Sequence, residues 1–198
     1  MNRNIDKTDL GIRLIVGIGN PGSSYDNTRH NVGFYLLDNL AQHYAASWKL
    51  ESKWKSQIAT IVIAGNKICL LKPQTFVNLS GNAVQAACHF LKIANEQVLV
   101  VCDDISIDMG NFKISTIPGT AGHNGIKNIA QNIGEGFIRY RVGIGKKPIA
   151  DMPLNEYVLS KFTQEEQVQL ISASQKFEKN IEVLIDKGVI KGMNFINR

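Results

Sequence analysis

At 198 residues, 44% of them hydrophobic, the chain is long enough for one α/β domain with a substantial core and too short for two full domains. Its 22 basic against 17 acidic residues leave a net charge of +5, which favours a polyanionic partner without demanding one. No apolar run approaches the roughly 20 residues that span a bilayer, the N-terminus lacks a secretory signal's apolar stretch, and the odd set Cys69, Cys88 and Cys102 lacks zinc-ligand spacing, so a cytoplasmic protein without a membrane partner is expected.

Residues 1–10 are polar and of mixed charge and are expected to form a flexible extension, leaving residues 11–198 as the single domain. Residues 12–18 are an apolar run ended by Gly19-Asn20-Pro21-Gly22, the pattern of a buried strand entering a turn. From Asn31 onward Val32, Leu36, Leu37, Leu40, Ala41 and Tyr44 fall on one helical stripe. Residues 57–64 and 67–71 read as a hairpin around Gly65-Asn66, with Pro73 closing the second strand. A helix starting near Ser80 and running to about Lys92 presents Val84, Ala87, Cys88 and Leu91 inward.

Residues 98–102 have the continuous apolar character of a buried parallel strand, and they deliver Asp103 and Asp104 at its carboxyl end. Residues 111–116 and 138–144 are further strand candidates, and residues 123–133 a helix. Thr163-Gln164-Glu165-Glu166 is a capping box for a long helix that stops by Gly188. The interleaving of strands and helices predicts an α/β fold: a single domain with a mixed, mostly parallel twisted sheet covered by helices.

Short polar motifs sit at the ends of these elements, and they hold the chemistry. Gly17-Ile18-Gly19-Asn20-Pro21-Gly22 matches G-x-G-x-x-G, but a dinucleotide site needs its last glycine at the opening of a helix, and here the helix begins only near Asn31. A structural turn, or a loop presenting Asn20, accounts for these glycines. His30, at a loop-to-helix junction, has the residue type of a general base at neutral pH. Asp103 or Asp104 can accept from one of its ring nitrogens, fix the tautomer and leave the other nitrogen for a water proton.

Asn20, Asn78 and Asn124 each have a glycine within three residues, which suits turns, yet their neutral amides can also grip a peptide backbone or an oxyanion. Serine catalysis lacks a G-x-S-x-G elbow, and His30, His43, His89 and His123 show no metal-ligand spacing. Water is the expected nucleophile, with no metal and no cofactor. Arg139 and Arg141 lie two apart on a strand and so share a face, which suits a phosphate clamp.

Taken in order, Gly-Asn-Pro-Gly, Thr-Arg-His-Asn, Thr-Phe-x-Asn-Leu-Ser-Gly, Gly-His-Asn-Gly and Arg-x-Arg-x-Gly-Ile-Gly resemble the bacterial-type peptidyl-tRNA hydrolase family from about Arg13 to about Gly188. The resemblance implies an enzyme that cleaves the ester between a peptide and the 3′ end of tRNA and so recycles tRNA for translation. It implies a metal-free monomer with peptidyl-tRNA as its partner and no obligate protein partner. By motif position, His30 matches the family's catalytic histidine and Asp103 the carboxylate supporting it; Asn20 and Asn78 would position water and substrate. Asn124 would hold peptide backbone, Tyr25 and Phe76 would lie with the substrate-binding groups, and Arg141 would help hold the tRNA 5′-phosphate. Val77 stands where methionine is common and Cys102 where histidine is frequent. Ser115 replaces a frequent clamp lysine, for which Lys113, two residues earlier on the same face, is the expected substitute.

Overall fold

The computed structural model describes residues 11–149 and 151–197, so the expected N-terminal extension lies outside the described residues. Among the described residues, seven strands form one sheet in the order β2-β3-β4-β1-β5-β7-β6. They are β1 (Leu14–Gly17), β2 (Lys49–Glu51), β3 (Ser56–Ile63), β4 (Asn66–Pro73), β5 (Val98–Asp104), β6 (Phe112–Ser115) and β7 (Ile138–Gly143). The four central strands β4, β1, β5 and β7 run parallel, while β2, β3 and β6 join antiparallel at the flanks. Every residue of β1 and β5 is buried, as their unbroken apolar runs require when helices cover both faces.

Side-chain alternation divides the core in two. Ile15, Leu99, Val101 and Tyr140 face α1 (Val32–His43) and α5 (Gln164–Lys187), packing with Leu37, Phe177 and Ile181. Leu14, Val16, Val98 and Val100 face α2 (Ser80–Leu91) and α3 (Asn124–Ile133), packing with Val84, Ile129 and Phe137. The capping box of α5 is formed: Thr163 Oγ1 accepts from the Glu166 amide at 3.3 Å and Glu166 Oε2 accepts from the Thr163 amide at 2.8 Å. The short elements β2, α4 (Leu154–Leu159) and α6 (Val189–Ile196) have no counterpart among the elements the sequence predicts, because each is too brief to show a hydrophobic period.

The β3–β4 hairpin turns one residue earlier than its sequence suggests. Ile63 pairs with Asn66, and Ala64 and Gly65 occupy the turn with φ of 47° and 77°, the two positive values of a type I′ turn.

One close approach sets the position of the functional site. A Cβ on Gly33 would stand 2.6 Å from the Ile18 amide nitrogen and 2.7 Å from the Val101 carbonyl oxygen, and one on Gly17 would stand 2.5 Å from the Gly33 carbonyl oxygen. Only glycines allow the head of α1 to sit this deeply against β1 and β5, which brings the turn before α1 to the carboxyl end of β5. Among the described residues, no helix is long and apolar enough to cross a membrane.

Candidate active site

A cleft of about 880 Å³ opens at the carboxyl ends of the parallel strands, where β4 and β5 flank β1 and the chain crosses from one side of β1 to the other. Asn20 from the loop after β1, Asn78 after β4, Asp103 on β5, Arg141 on β7, His30 and Asn124 all line it. Phe76 and Lys113 line it too. Tyr25 stands just outside, edge-on to the Phe76 ring with centroids 6.2 Å apart. The structure therefore gathers the expected residues at one end of the sheet.

Asp103 and Asp104 are adjacent in sequence and point to opposite faces, as strand alternation dictates, so they acquire different partners. His30 Nδ1 donates to Asp103 Oδ1 at 2.7 Å. Arg141 Nε donates to Asp104 Oδ2 at 2.6 Å, and Ser106 donates to Asp104 Oδ1 through both its amide and its hydroxyl. Asp103 is thus the carboxylate in contact with His30, and Asp104 holds the arginine.

Burial by itself disfavours a charged imidazole, but attraction and hydrogen bonding to the Asp103 carboxylate outweigh it and hold His30 above its ordinary 6.5. Burial likewise acts to raise the Asp103 carboxyl, yet its two histidine neighbours, His123 and His30, hold it far below the usual carboxylate range. Asp104 is also lowered: burial opposes ionisation, and the bonds from Ser106 and Arg141 prevail. With Nδ1 engaged on Asp103, Nε2 is the ring nitrogen of His30 left for chemistry in the cleft.

A second histidine shares the same oxygen. His123 Nε2 lies 3.1 Å from Asp103 Oδ1, and its ring centroid lies 5.0 Å from that of His30. His123 caps α3, its Nδ1 accepting from the amides of Gly125 at 3.1 Å and Ile126 at 3.3 Å. A nitrogen that accepts two N–H groups carries no proton, so the proton of the neutral ring sits on Nε2 and is donated to Asp103. The sequence marks His123 as the start of a helix and offers no signal for this contact, which joins residues 20 apart through the fold.

His30, Asp103 and His123 offer three candidate ligand atoms within 4.8 Å of one another. The donor chemistry does not suit a metal. Binding through His123 Nε2 requires the proton to move to Nδ1, and there it would confront the two amides that Nδ1 now accepts.

Asn20 is fixed on both sides. Its amide N–H and carbonyl bond to the Asn31 side chain, and its Oδ1 accepts from the Val77 amide at 3.0 Å. With Oδ1 occupied, its Nδ2 is the group left to donate into the cleft. Asn78 and Asn124 are exposed on the cleft wall.

Of the two strand arginines, Arg141 stays half-exposed beside Lys113, its partner in the β6–β7 register. Arg139 shares that face and also lines the cleft, but it is buried, stacks on Phe137 at 4.1 Å and donates to the carbonyls of Glu135 and Phe137, so its guanidinium is largely committed to structure. Cys102 is buried beneath the site, and burial pushes its thiol far up, as suits an inert core residue.

The model of the peptidyl-tRNA hydrolase family matches residues 14–198. A peptidyl-tRNA hydrolase of Clostridium botulinum (strain Eklund 17B / Type B) is 42% identical over 185 residues, 93% of this chain and 95% of that protein. The one of Bacillus subtilis (strain 168) is 37% identical over 188 residues, covering 93% and 97%. The crystal structure of the peptidyl-tRNA hydrolase from Acinetobacter baumannii superposes with a TM-score of 0.88 at 35% identity, covering 94% of each chain.

Proposed function

The chain belongs to the peptidyl-tRNA hydrolase family and is a hydrolase of that class, and we propose that it cleaves the peptide–tRNA ester with water activated by His30 and Asp103. The observation that carries this reading is the 2.7 Å bond from His30 Nδ1 to Asp103 Oδ1 at the wall of the cleft. His30 Nε2 takes a proton from water as the water oxygen attacks the ester carbonyl carbon, and the carbonyl electron pair moves onto its oxygen. The Asn20 Nδ2 donor supports that oxyanion. Collapse of the intermediate breaks the bond to the ribose oxygen, which recovers the proton from the imidazolium. Asp103 keeps its negative charge throughout and stabilises the imidazolium between the two proton transfers.

Asn78 shares in positioning water and ester, and Asn124 holds the peptide backbone, since both amides stand on the cleft wall. Tyr25 and Phe76, edge-on to each other, form an aromatic corner with a ring face suited to stacking a base of the acceptor end. Lys113 and Arg141 take the phosphate; Asp104 neutralises part of the arginine's charge, leaving Lys113 as the stronger attraction. That one chain supplies every group in this scheme supports action as a monomer, and the cytoplasm, where peptidyl-tRNA arises, is the compartment this substrate calls for.

Purified protein incubated with peptidyl-tRNA tests the scheme directly. His30→Ala loses about 10² to 10⁴ in turnover, the range a positioned general base supplies, while tRNA binding persists. A variant that keeps most of its turnover refutes the assignment.

A further inference from the structure

The residue before the catalytic histidine is a buried cation that does not line the cleft. Arg29 has a side chain only 7% exposed. Its guanidinium Nη2 donates to both carboxylate oxygens of Glu166, at 2.8 and 2.6 Å, and its Nη1 donates to Ser160 Oγ at 2.8 Å and the Lys161 carbonyl at 2.5 Å. The rings of Tyr157 and Phe162 lie 4.7 and 5.3 Å from its central carbon. Its backbone amide donates to the Ser160 carbonyl at 3.0 Å, and Thr28 bridges to Lys161. Glu166 is also the capping-box residue of α5. The cation is therefore bolted to the junction of α4 and α5.

Arg29, His30 and Asn31 form one turn of 3-10 helix. Three residues per turn send consecutive side chains about 120° apart, so each meets a different element: Arg29 the α4–α5 junction, His30 the end of β5, and Asn31 the loop after β1. The backbone of His30 is thereby held on both sides. We propose that Arg29 is a positioning residue for the reaction, fixing through the Glu166 clamp the placement of His30 against Asp103.

A buried ion pair adds little net stability compared with apolar side chains of similar size, but its forked geometry restricts where the backbone can sit. That distinction makes the role testable. Among the described residues, the ionisable groups that meet the His30 ring are Asp103 of β5 and His123 at the head of α3. If the turn slackens, the bond to Asp103 lengthens, His30 holds its proton less tightly, and the acid limb of the rate profile moves to lower pH.

The experiment compares wild type, Arg29→Lys, Glu166→Gln and the double variant Arg29→Met/Glu166→Met, measuring thermal unfolding, kcat, KM and the pH dependence of kcat/KM on peptidyl-tRNA. Lysine cannot reproduce the fork, and the double variant leaves no uncompensated buried charge, so its stability exceeds that of a variant with one charge left unpaired even though the Glu166 bond to the Thr163 amide is lost. In every folded variant, kcat falls roughly 10- to 100-fold, the scale of a slightly misplaced group, KM changes less than kcat, and the acid limb shifts to lower pH. A stable double variant with wild-type kcat, or Arg29→Lys and Glu166→Gln variants whose acid limb does not move, overturns the inference. The inference rests on His30 being the base. A wild-type profile lacking an acid limb defeats that reading, whereas a wild-type limb that these variants leave unmoved defeats only the role of Arg29.

Discussion

Replacing His123 with alanine separates two jobs that one ring performs. The ring caps α3 through Nδ1, with bonds of 3.1 and 3.3 Å to successive amides, and donates to Asp103 through Nε2 at 3.1 Å. Loss of a helix cap costs about 1 kcal/mol, and loss of a hydrogen bond to a charged group about 1.5 to 3 kcal/mol before water replaces part of it. A net loss of about 2 kcal/mol lowers the unfolding midpoint of a domain this size by roughly 4–8 °C, readable by circular dichroism.

The effect on pH has an unexpected sign. Without the donor from His123, the Asp103 carboxylate directs more of its charge to His30, so the imidazole holds its proton more tightly and the acid limb of kcat/KM moves to higher pH. His123→Asn is the companion variant. Asparagine caps a helix well but is too short to reach Asp103, so the capping share of the stability, about 1 kcal/mol, returns while the shifted limb stays. A limb that stays in place in both variants, or that asparagine restores together with stability, refutes the argument that His123 acts on Asp103 as well as on α3.

Asp103→Asn keeps an oxygen facing both histidines but removes the charge that raises His30, so kcat falls about 10² to 10⁴-fold and the acid limb moves to lower pH, opposite in sign to His123→Ala. A kcat within tenfold of wild type contradicts the pairing. Gly33→Ala places a methyl group 2.6 to 2.7 Å from backbone atoms of Ile18 and Val101; denaturant unfolding then shows a loss of about 1–3 kcal/mol, and turnover falls as α1 and His30 are displaced. A neutral result contradicts the claim that this contact sets the site. Lys113→Ala weakens tRNA binding and reduces the dependence of log K on log salt by about one counterion, with a larger effect on tRNA carrying a 5′-phosphate than on tRNA lacking it. Equal effects on the two tRNAs remove Lys113 from the phosphate site.

The parts of the fold that were legible in sequence share a cause. β1 and β5 lie in the middle of a parallel sheet, so burial on both faces makes their residues continuously apolar, and α1 and α2 bury one stripe each. The short β2, α4 and α6 bury too few side chains to show a period, and the turn at Ala64-Gly65 is not legible because a left-handed alanine has no distinct sequence signature. His30, Asp103 and the three asparagines could be singled out because their residue types and motif positions suit hydrolysis.

Neither the second donor on Asp103 nor the structural commitment of Arg139 was legible. Both depend on contacts that no local pattern records: the His123 ring reaching across from the head of α3, and the guanidinium finding Phe137 and two carbonyls. Arg29 is similar, since its partners Ser160, Lys161 and Glu166 lie more than 130 residues along the chain.

The central claim is that Asp103 turns His30 into a base tuned for the cleft. Titration of the His30 ring by nuclear magnetic resonance, in wild type and in Asp103→Asn, reads this without turnover. The account predicts a wild-type midpoint above the ordinary 6.5 that drops below it once the carboxylate is gone and burial acts alone. A wild-type midpoint at or below 6.5, or one that Asp103→Asn leaves unchanged, contradicts it.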